Sequence, residues 1–373
     1  MTNDEVQDVS TKPNRLVSLD ALRGFDMFWI VGAEEVVHAL TGLNDAPWAK
    51  IITEQLSHKA WQGFAFYDLI FPLFVFIVGI SLVFSVSHSL EAYGTAKTIR
   101  RVFIRSAILY VLGLFYYGGI ANGYDQVRFV GVLQRIAICY FLASLAFCFL
   151  ATRGRIALCV GILASYWALM TFVPVPEAGA GNFEEGKNLA NYVDKQFLPG
   201  KKWDGDHDPE GLLSTLPAVA TCLLGVFAGG LLRSTSIKDA LKVIYLLTGG
   251  LALTALGYLW GMEFPIIKKL WTSSYVLVAA GYSCILMALF YLIVEIIGFK
   301  IWAMPFVWIG MNPITIYLAH NLIHFDDIAN RIAGGPLKET LGVYGEMVIL
   351  ALVLGMSLWI VNFLYRKKIF LRV

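Results

Sequence analysis

Apolar residues along this chain come in continuous runs of about 20, divided by short polar connections, rather than alternating with polar residues. A run of that length crosses the roughly 30 Å hydrocarbon core as one helix. Backbone groups in lipid must pair internally, which leaves helices or a closed barrel. Continuous runs fit helices, and alternation would fit a barrel. The pattern predicts an all-α polytopic membrane protein with about ten transmembrane helices, over 17–38, 64–87, 102–120, 129–151, 156–174, 212–232, 243–261, 273–297, 302–321 and 343–365. Residues 1–16 read as a polar cytoplasmic tail with no cleavage pattern before the first span. Residues 17–373 read as a single transmembrane domain whose longest connection is an outer loop at 175–211. Gly225–Gly229 and Gly257–Gly261 have the small-residue spacing of close helix packing.

Composition agrees: 58% of residues are hydrophobic and 15% charged, against roughly 25% charged in a soluble domain. Lys and Arg concentrate in short connections that share one side if both termini are cytoplasmic, among them Lys12, Arg15, Arg100, Arg101, Arg105, Arg233, Arg366 and Arg372. That orientation puts His58 on the outer face. The net charge of +2 is mostly this asymmetry and gives no reason to expect nucleic acid. The five cysteines fall inside spans without ligand spacing, so packing is their expected role and no disulfide framework follows.

Ionisable residues inside a span are costly and call for a reason. On a straight first helix, Asp20, Arg23, Asp26, Glu34 and His38 share a face about 120° wide, a polar stripe through most of the bilayer. Arg23 can neutralise Asp20 or Asp26, and Glu34 lies too far along to share it. The second span opens with His58 and Trp61 and carries Asp68, whose candidate partners are Arg128 and Arg135, seven residues apart with Gln134 between them. An imidazole beside a carboxylate is equipment for moving a proton. The ninth span carries Asn312, Tyr317, His320 and His324; the two histidines are four apart, yet no third imidazole or HExxH accompanies them. Asn312 and His320 are expected to line a polar cavity, and no metal is expected. In WDGDHDPEGLL, Asp208 and Pro209 read as the start of a helix, with Asp206, His207 and Glu210 as further substrate candidates. In FPIIKKLWTSSYV, Lys268, Lys269 and Trp271 read as an interfacial anchor or a grip on an anionic group.

Six blocks, RLVSLDALRGFDMFWIVGAEE, HKAWQGFAFYDLIFPLFVFIVGISL, GVLQRIAICYFL, HDPEGLLSTLPAVATCLLGVFAG, FPIIKKLWTSSYVL and GMNPITIYLAH, occur in an order that resembles the catalytic membrane domain of the heparan-alpha-glucosaminide N-acetyltransferase family, in its bacterial form among the transmembrane acyltransferases. The resemblance implies an acyl-CoA-dependent enzyme in the bacterial inner membrane. It would carry acetyl from cytosolic acetyl-CoA, its co-substrate, to the amino group of a glucosamine-type sugar outside, with a homodimer as an option. The family's active-site histidine falls on His58, with Glu34 and Asp68 as its catalytic companions. Trp61, Asn312, His320, Asp208, Glu210, Lys268, Lys269 and Trp271 are then the substrate candidates, and Arg23, Gln134 and Arg135 those for CoA. Arg100, Arg101 and Arg105 suit CoA phosphates or simply the inner face. Glu34 and Ile267 stand where the family has asparagine. The competing reading is a proton-coupled transporter of a small polar or sugar solute, which a polar stripe also suits.

Overall fold

The computed structural model describes residues 16–42, 46–121 and 123–370. Residues 1–15 of the tail, with Lys12 and Arg15, and Arg372 at the other end, lie outside them. Fifteen α-helices follow one another: α1 Val17–Phe28, α2 Glu34–Thr41, α3 Pro47–Gln55, α4 Ile70–Tyr116, α5 Val132–Phe149, α6 Thr152–Phe172, α7 Leu189–Phe197, α8 Thr215–Arg233, α9 Asp239–Trp260, α10 Ser273–Tyr291, α11 Met304–Gly310, α12 Pro313–Ile323, α13 Phe325–Ala333, α14 Pro336–Leu341 and α15 Val343–Arg366. Among the described residues there is no strand beyond three isolated bridges.

Among the described residues, seven helices are long and apolar enough to cross a membrane, or eight if the bent pair α11–α12 forms one span. The apolar runs suggest ten, and backbone breaks account for the difference. In the first run the helix breaks at Val31 and Gly32, where Gly32 takes φ +116°, a conformation open to glycine at little cost. The second and third runs join in α4, which is interrupted at Gly94 (φ +74°). There the Thr98 hydroxyl donates to Ser89 Oγ at 3.0 Å, whereas nine residues of straight helix would hold them about 13 Å apart. The chain therefore doubles back, and the Arg101 guanidinium comes to lie 3.7 Å from the centre of the Tyr93 ring. In the ninth run, α11 and α12 meet at 68° around Asn312 and Pro313.

The first arm of α4, with α5, α8 and α10, forms the centre. Two buried clusters run through it, one around Val75, Leu82, Cys139, Cys222 and Tyr275, the other around Leu73, Phe76, Ile77, Ala280 and Met287. Without a hydrophobic drive between helices in lipid, close packing must hold them, and small residues permit it. A Cβ on Gly225 would overlap the carbonyl of Phe76, and one on Gly79 that of Cys222. Gly257 likewise lies against Ser274 and Val278 of α10. Gly79, Gly225, Gly229 and Gly257 thus sit at helix crossings, while Gly261 ends α9 against Ile266 of the following loop. Over one end of this bundle lies the 175–211 segment. Its α7 is capped by the Asn188 side chain, which accepts from Asn191 N at 2.9 Å. Asp194 in α7 accepts from Leu212 N at 2.8 Å and Asp208 N at 3.3 Å, tying the segment to the start of α8.

Candidate active site

His58 sits in the connection between α3 and a tight turn over Phe66–Leu69 that leads into α4. Asp68 in that turn is almost fully buried and accepts from Ala65 N at 3.1 Å and Lys59 N at 3.3 Å. Those bonds fix the carboxylate, and its Oδ1 lies 2.9 Å from His58 Nδ1. Lys268 approaches from the α9–α10 loop, with Nζ 3.0 Å from Nδ1, 3.2 Å from Nε2 and 3.7 Å from Asp68 Oδ1. That loop is held in register with the His58 segment, since Gly63 N donates to Ile266 O at 2.9 Å. Nδ1 offers either one hydrogen or one lone pair, so it serves Asp68 or Lys268 and not both. Donation to the buried carboxylate leaves Nε2 as the acceptor for the Lys268 ammonium. The imidazole is then oriented as a base by its carboxylate, and Nε2 can take a proton once the Lys268 ammonium moves off its lone pair to another acceptor.

Burial lowers the pKa of Lys268, and the Asp68 and Glu210 carboxylates oppose that only in part. A lysine lowered in this way binds fewer protons folded than unfolded. The resulting penalty is complete below its folded value and fades as pH climbs toward the ordinary 10.5. Wild type should therefore gain stability relative to Lys268→Met as pH rises through that window. Paired thermal melts check this, and a difference that stays flat or narrows the other way would contradict the assignment.

A cavity of about 520 Å³ opens beside His58, Lys268 and Glu210, walled by Tyr67, Trp203 and Tyr317. A second, of about 630 Å³, is lined by Asp20, Arg23, Arg101 and Arg105. The two share Phe74, Ile136, Pro313 and Ile314 in their walls. Along the first arm of α4, the upper cavity touches Ile70, Phe71 and Phe74 and the lower one Phe74, Val78, Ser81, Leu82 and Ser85. They are thus stacked along the helix axis, and Ile70 to Ser85 covers about 22 Å. One end carries an imidazole, the other a set of guanidinium groups.

The remaining candidates divide. Glu210 lines the upper cavity, and its Oε2 accepts from Arg128 Nη2 at 2.6 Å. Arg128 also donates twice to the fully buried Asp208, at 2.9 and 2.7 Å, between the rings of Tyr117 and Trp203. Arg128 is therefore taken by Asp208 and Glu210, and Arg135 donates to Ser214 Oγ at 2.5 Å above the Trp271 ring. Neither pairs with Asp68, contrary to the expectation from span order; His58 and Lys268 do. Asp208 starts no helix, because α8 begins at Thr215. Arg23 pairs with Asp20 at 3.3 Å and donates to Ser81 Oγ at 2.6 Å, while both Asp26 oxygens are buried without a hydrogen-bond partner.

The stripe expected on the first helix is interrupted at Gly32. Glu34 beyond it lies on the Tyr67 side of the site, 3.5 Å from His38 Nε2. Tyr67, whose ring lies tilted with its centre 4.7 Å from that of His58, stands between Glu34 and the imidazole. Gln134, Arg135, Asn312 and His320 line neither cavity. Gln134 donates to Arg128 O and Asn312 to Ile369 O, both at 3.2 Å. His320 packs on Phe325, and α12 ends before His324, which turns left-handed (φ +48°), so those histidines do not share a helix face. Trp271 is a core residue, buried with Nε1 donating to Thr221 Oγ1 at 3.0 Å. Trp61 donates to Phe183 O at 2.9 Å and faces a separate pocket. Lys269 turns away from His58 to Glu185 and Asp204. Tyr67 and Trp203 in the cavity wall were not among the site candidates; Tyr67 stands next to Asp68, and Trp203 opens the WDGDHDPEGLL stretch.

The chain is 27% identical to heparan-alpha-glucosaminide N-acetyltransferase of Mus musculus over 71% of its own length and 49% of that protein. To the Homo sapiens protein of the same name it is also 27% identical, over 98% of its own length and 61% of the relative. It therefore spans about half to three-fifths of those relatives. The family described as heparan-alpha-glucosaminide N-acetyltransferase, catalytic, matches residues 15–257, which hold His58, Asp68, the Arg128–Asp208–Glu210 cluster and both arms of α4. The chain belongs to that family.

Proposed function

We propose that this chain is a transmembrane acetyltransferase that moves acetyl from acetyl-CoA to the amino group of a glucosamine-type sugar. The observation that carries the reading is the stacking of two adjoining cavities, which sets the His58–Asp68 pair at the far end of one and Arg101 with Arg105 in the other. The guanidinium groups suit the CoA phosphates, and the largely apolar wall between suits its extended arm. With the arginines toward the cytosol, as the basic connections suggest, the sugar meets His58 on the far side of the membrane. A bacterial inner membrane is the natural setting.

The amine attacks the thioester carbonyl as His58 Nε2 takes its proton. Asp68 holds Nδ1–H and stabilises the imidazolium that results. The Lys268 ammonium, 3.2 Å from Nε2, lies within reach of the oxygen that gains negative charge. Asn312 is spent on Ile369 and is not needed for that role. As the C–S bond breaks, His58 returns the proton to the departing sulfur, and an N–C bond has replaced the thioester. Glu210 offers an acceptor for sugar hydroxyls.

Detergent-purified protein given labelled acetyl-CoA and glucosamine should yield N-acetylated sugar. Arg101→Met with Arg105→Met should raise KM for acetyl-CoA about tenfold with kcat kept, as loss of uniform binding requires. Sugar uptake into proteoliposomes without acetylation would replace this reading with that of a carrier.

A further inference from the structure

Beyond the cavities, the 175–211 segment gathers Glu185, Asp204 and His207, with one ligand atom of each within 4.8 Å of the others. None of the three lines the path from His58. The histidine makes this more than an acidic cluster. Its side chain is only 6% exposed, and Nδ1 lies 2.9 Å from Asp206 Oδ1. That bond leaves the hydrogen on Nδ1 and the lone pair on Nε2. Nε2 is buried without a hydrogen-bond partner and points at the carboxylates, 3.5 Å from Glu185 Oε1 and 3.8 Å from Asp204 Oδ2. A carboxylate that fixes the far nitrogen of an imidazole is the usual support of a metal-bound histidine. Lys195 in turn steadies Asp206 at 3.1 Å.

We infer that Glu185, Asp204 and His207 form a binding site for a divalent cation of the zinc class. Ligands 2.0–2.1 Å from a tetrahedral zinc ion lie about 3.3 Å from one another, so small movements of the two carboxylates close the site. One imidazole nitrogen with two carboxylate oxygens favours zinc over calcium, which takes six to eight oxygens. The Lys269 ammonium lies 3.0 Å from Glu185 Oε1 and 2.9 Å from Asp204 Oδ2, so it is the competitor that the metal displaces. The bound ion would staple the turn at 184–187 to the turn at 204–207 directly before Asp208, which anchors Arg128.

Tag-free protein in detergent, stripped with chelator and titrated with zinc chloride, should bind one ion per chain by calorimetry. Lys269→Met should tighten binding about tenfold by removing the competing charge. Glu185→Gln should weaken it by at least tenfold; Glu185 is 46% exposed, so the fold survives this change. Cobalt in place of zinc should give the intense visible absorption of a tetrahedral ion in Lys269→Met. No zinc binding by Lys269→Met, or equal binding by Glu185→Gln and wild type, overturns the assignment whether or not the protein transfers acetyl.

Discussion

His58→Ala is expected to lower kcat for acetyl transfer about a thousandfold, the middle of the range that a positioned base supplies. The imidazole side chain is 51% exposed, so its removal leaves little packing to lose and the melting temperature should hold. KM for acetyl-CoA should also hold, because the arginines that suit its phosphates lie at the other end of the path. Asp68→Asn serves as the companion variant. It keeps the shape and the bonds from Ala65 and Lys59 but cannot stabilise an imidazolium, so it should lower kcat with a changed pH profile. Single-turnover measurements on purified protein separate these effects. A His58→Ala enzyme with kcat within threefold of wild type would remove this imidazole from the chemistry and leave Lys268 as the nearest titratable group.

Fold class was legible because lipid leaves few choices: continuous apolar runs in a chain with few charges must be helices. The number of unbroken helices was not, because it depends on single glycines. Gly32 takes positive φ inside an apolar run, where nothing in hydropathy distinguishes it from Gly79 or Gly225 at helix crossings, whereas Gly94 lies in the polar stretch between two runs that the pattern did separate. The site divides in a similar way. His58 and Asp68 lie ten residues apart on one continuous segment, so their pairing needed only a local turn. The partners of Asp68 and Arg128 come from loops far along the chain, Lys268 and Asp208 respectively, and helical spacing says nothing about which loop folds over which helix. Charge and burial decide it. A lysine on the α9–α10 loop reaches a half-open histidine, whereas the planar guanidinium of Arg128 matches a fully buried carboxylate with two parallel bonds. Lys268 and Lys269 show the same limit at the scale of one residue. Adjacent in sequence, they point into separate clusters, because the turn closed by the Trp271 N bond to Lys268 O splays their side chains.

Arg128→Met is expected to cost about 3–5 kcal/mol of stability, the usual penalty for stripping one partner from a buried ion pair. Burial alone would lower the pKa of Arg128, yet Asp208 and Glu210 hold it above its ordinary value, so the guanidinium stays charged between them. Methionine removes that charge and leaves Asp208, whose side chain has no exposed surface, and Glu210, 11% exposed, facing each other. Asp208 keeps its bonds from Trp203 N at 3.0 Å and Glu210 N at 3.0 Å, which soften the loss without cancelling the charge. The Tyr117 and Trp203 rings lose the cation between them, and Trp203 is a wall of the upper cavity. Activity should therefore fall together with stability, in contrast to His58→Ala, where activity falls alone. The double variant Arg128→Met with Asp208→Asn removes the unpaired buried charge and should recover part of the lost melting temperature, because removing both members of a buried pair costs less than removing one. Thermal melts of the three forms in one detergent read this directly. A single Arg128→Met variant that melts with wild type, or a double variant that melts below the single one, would show that this ion cluster does not hold the 175–211 segment over the site.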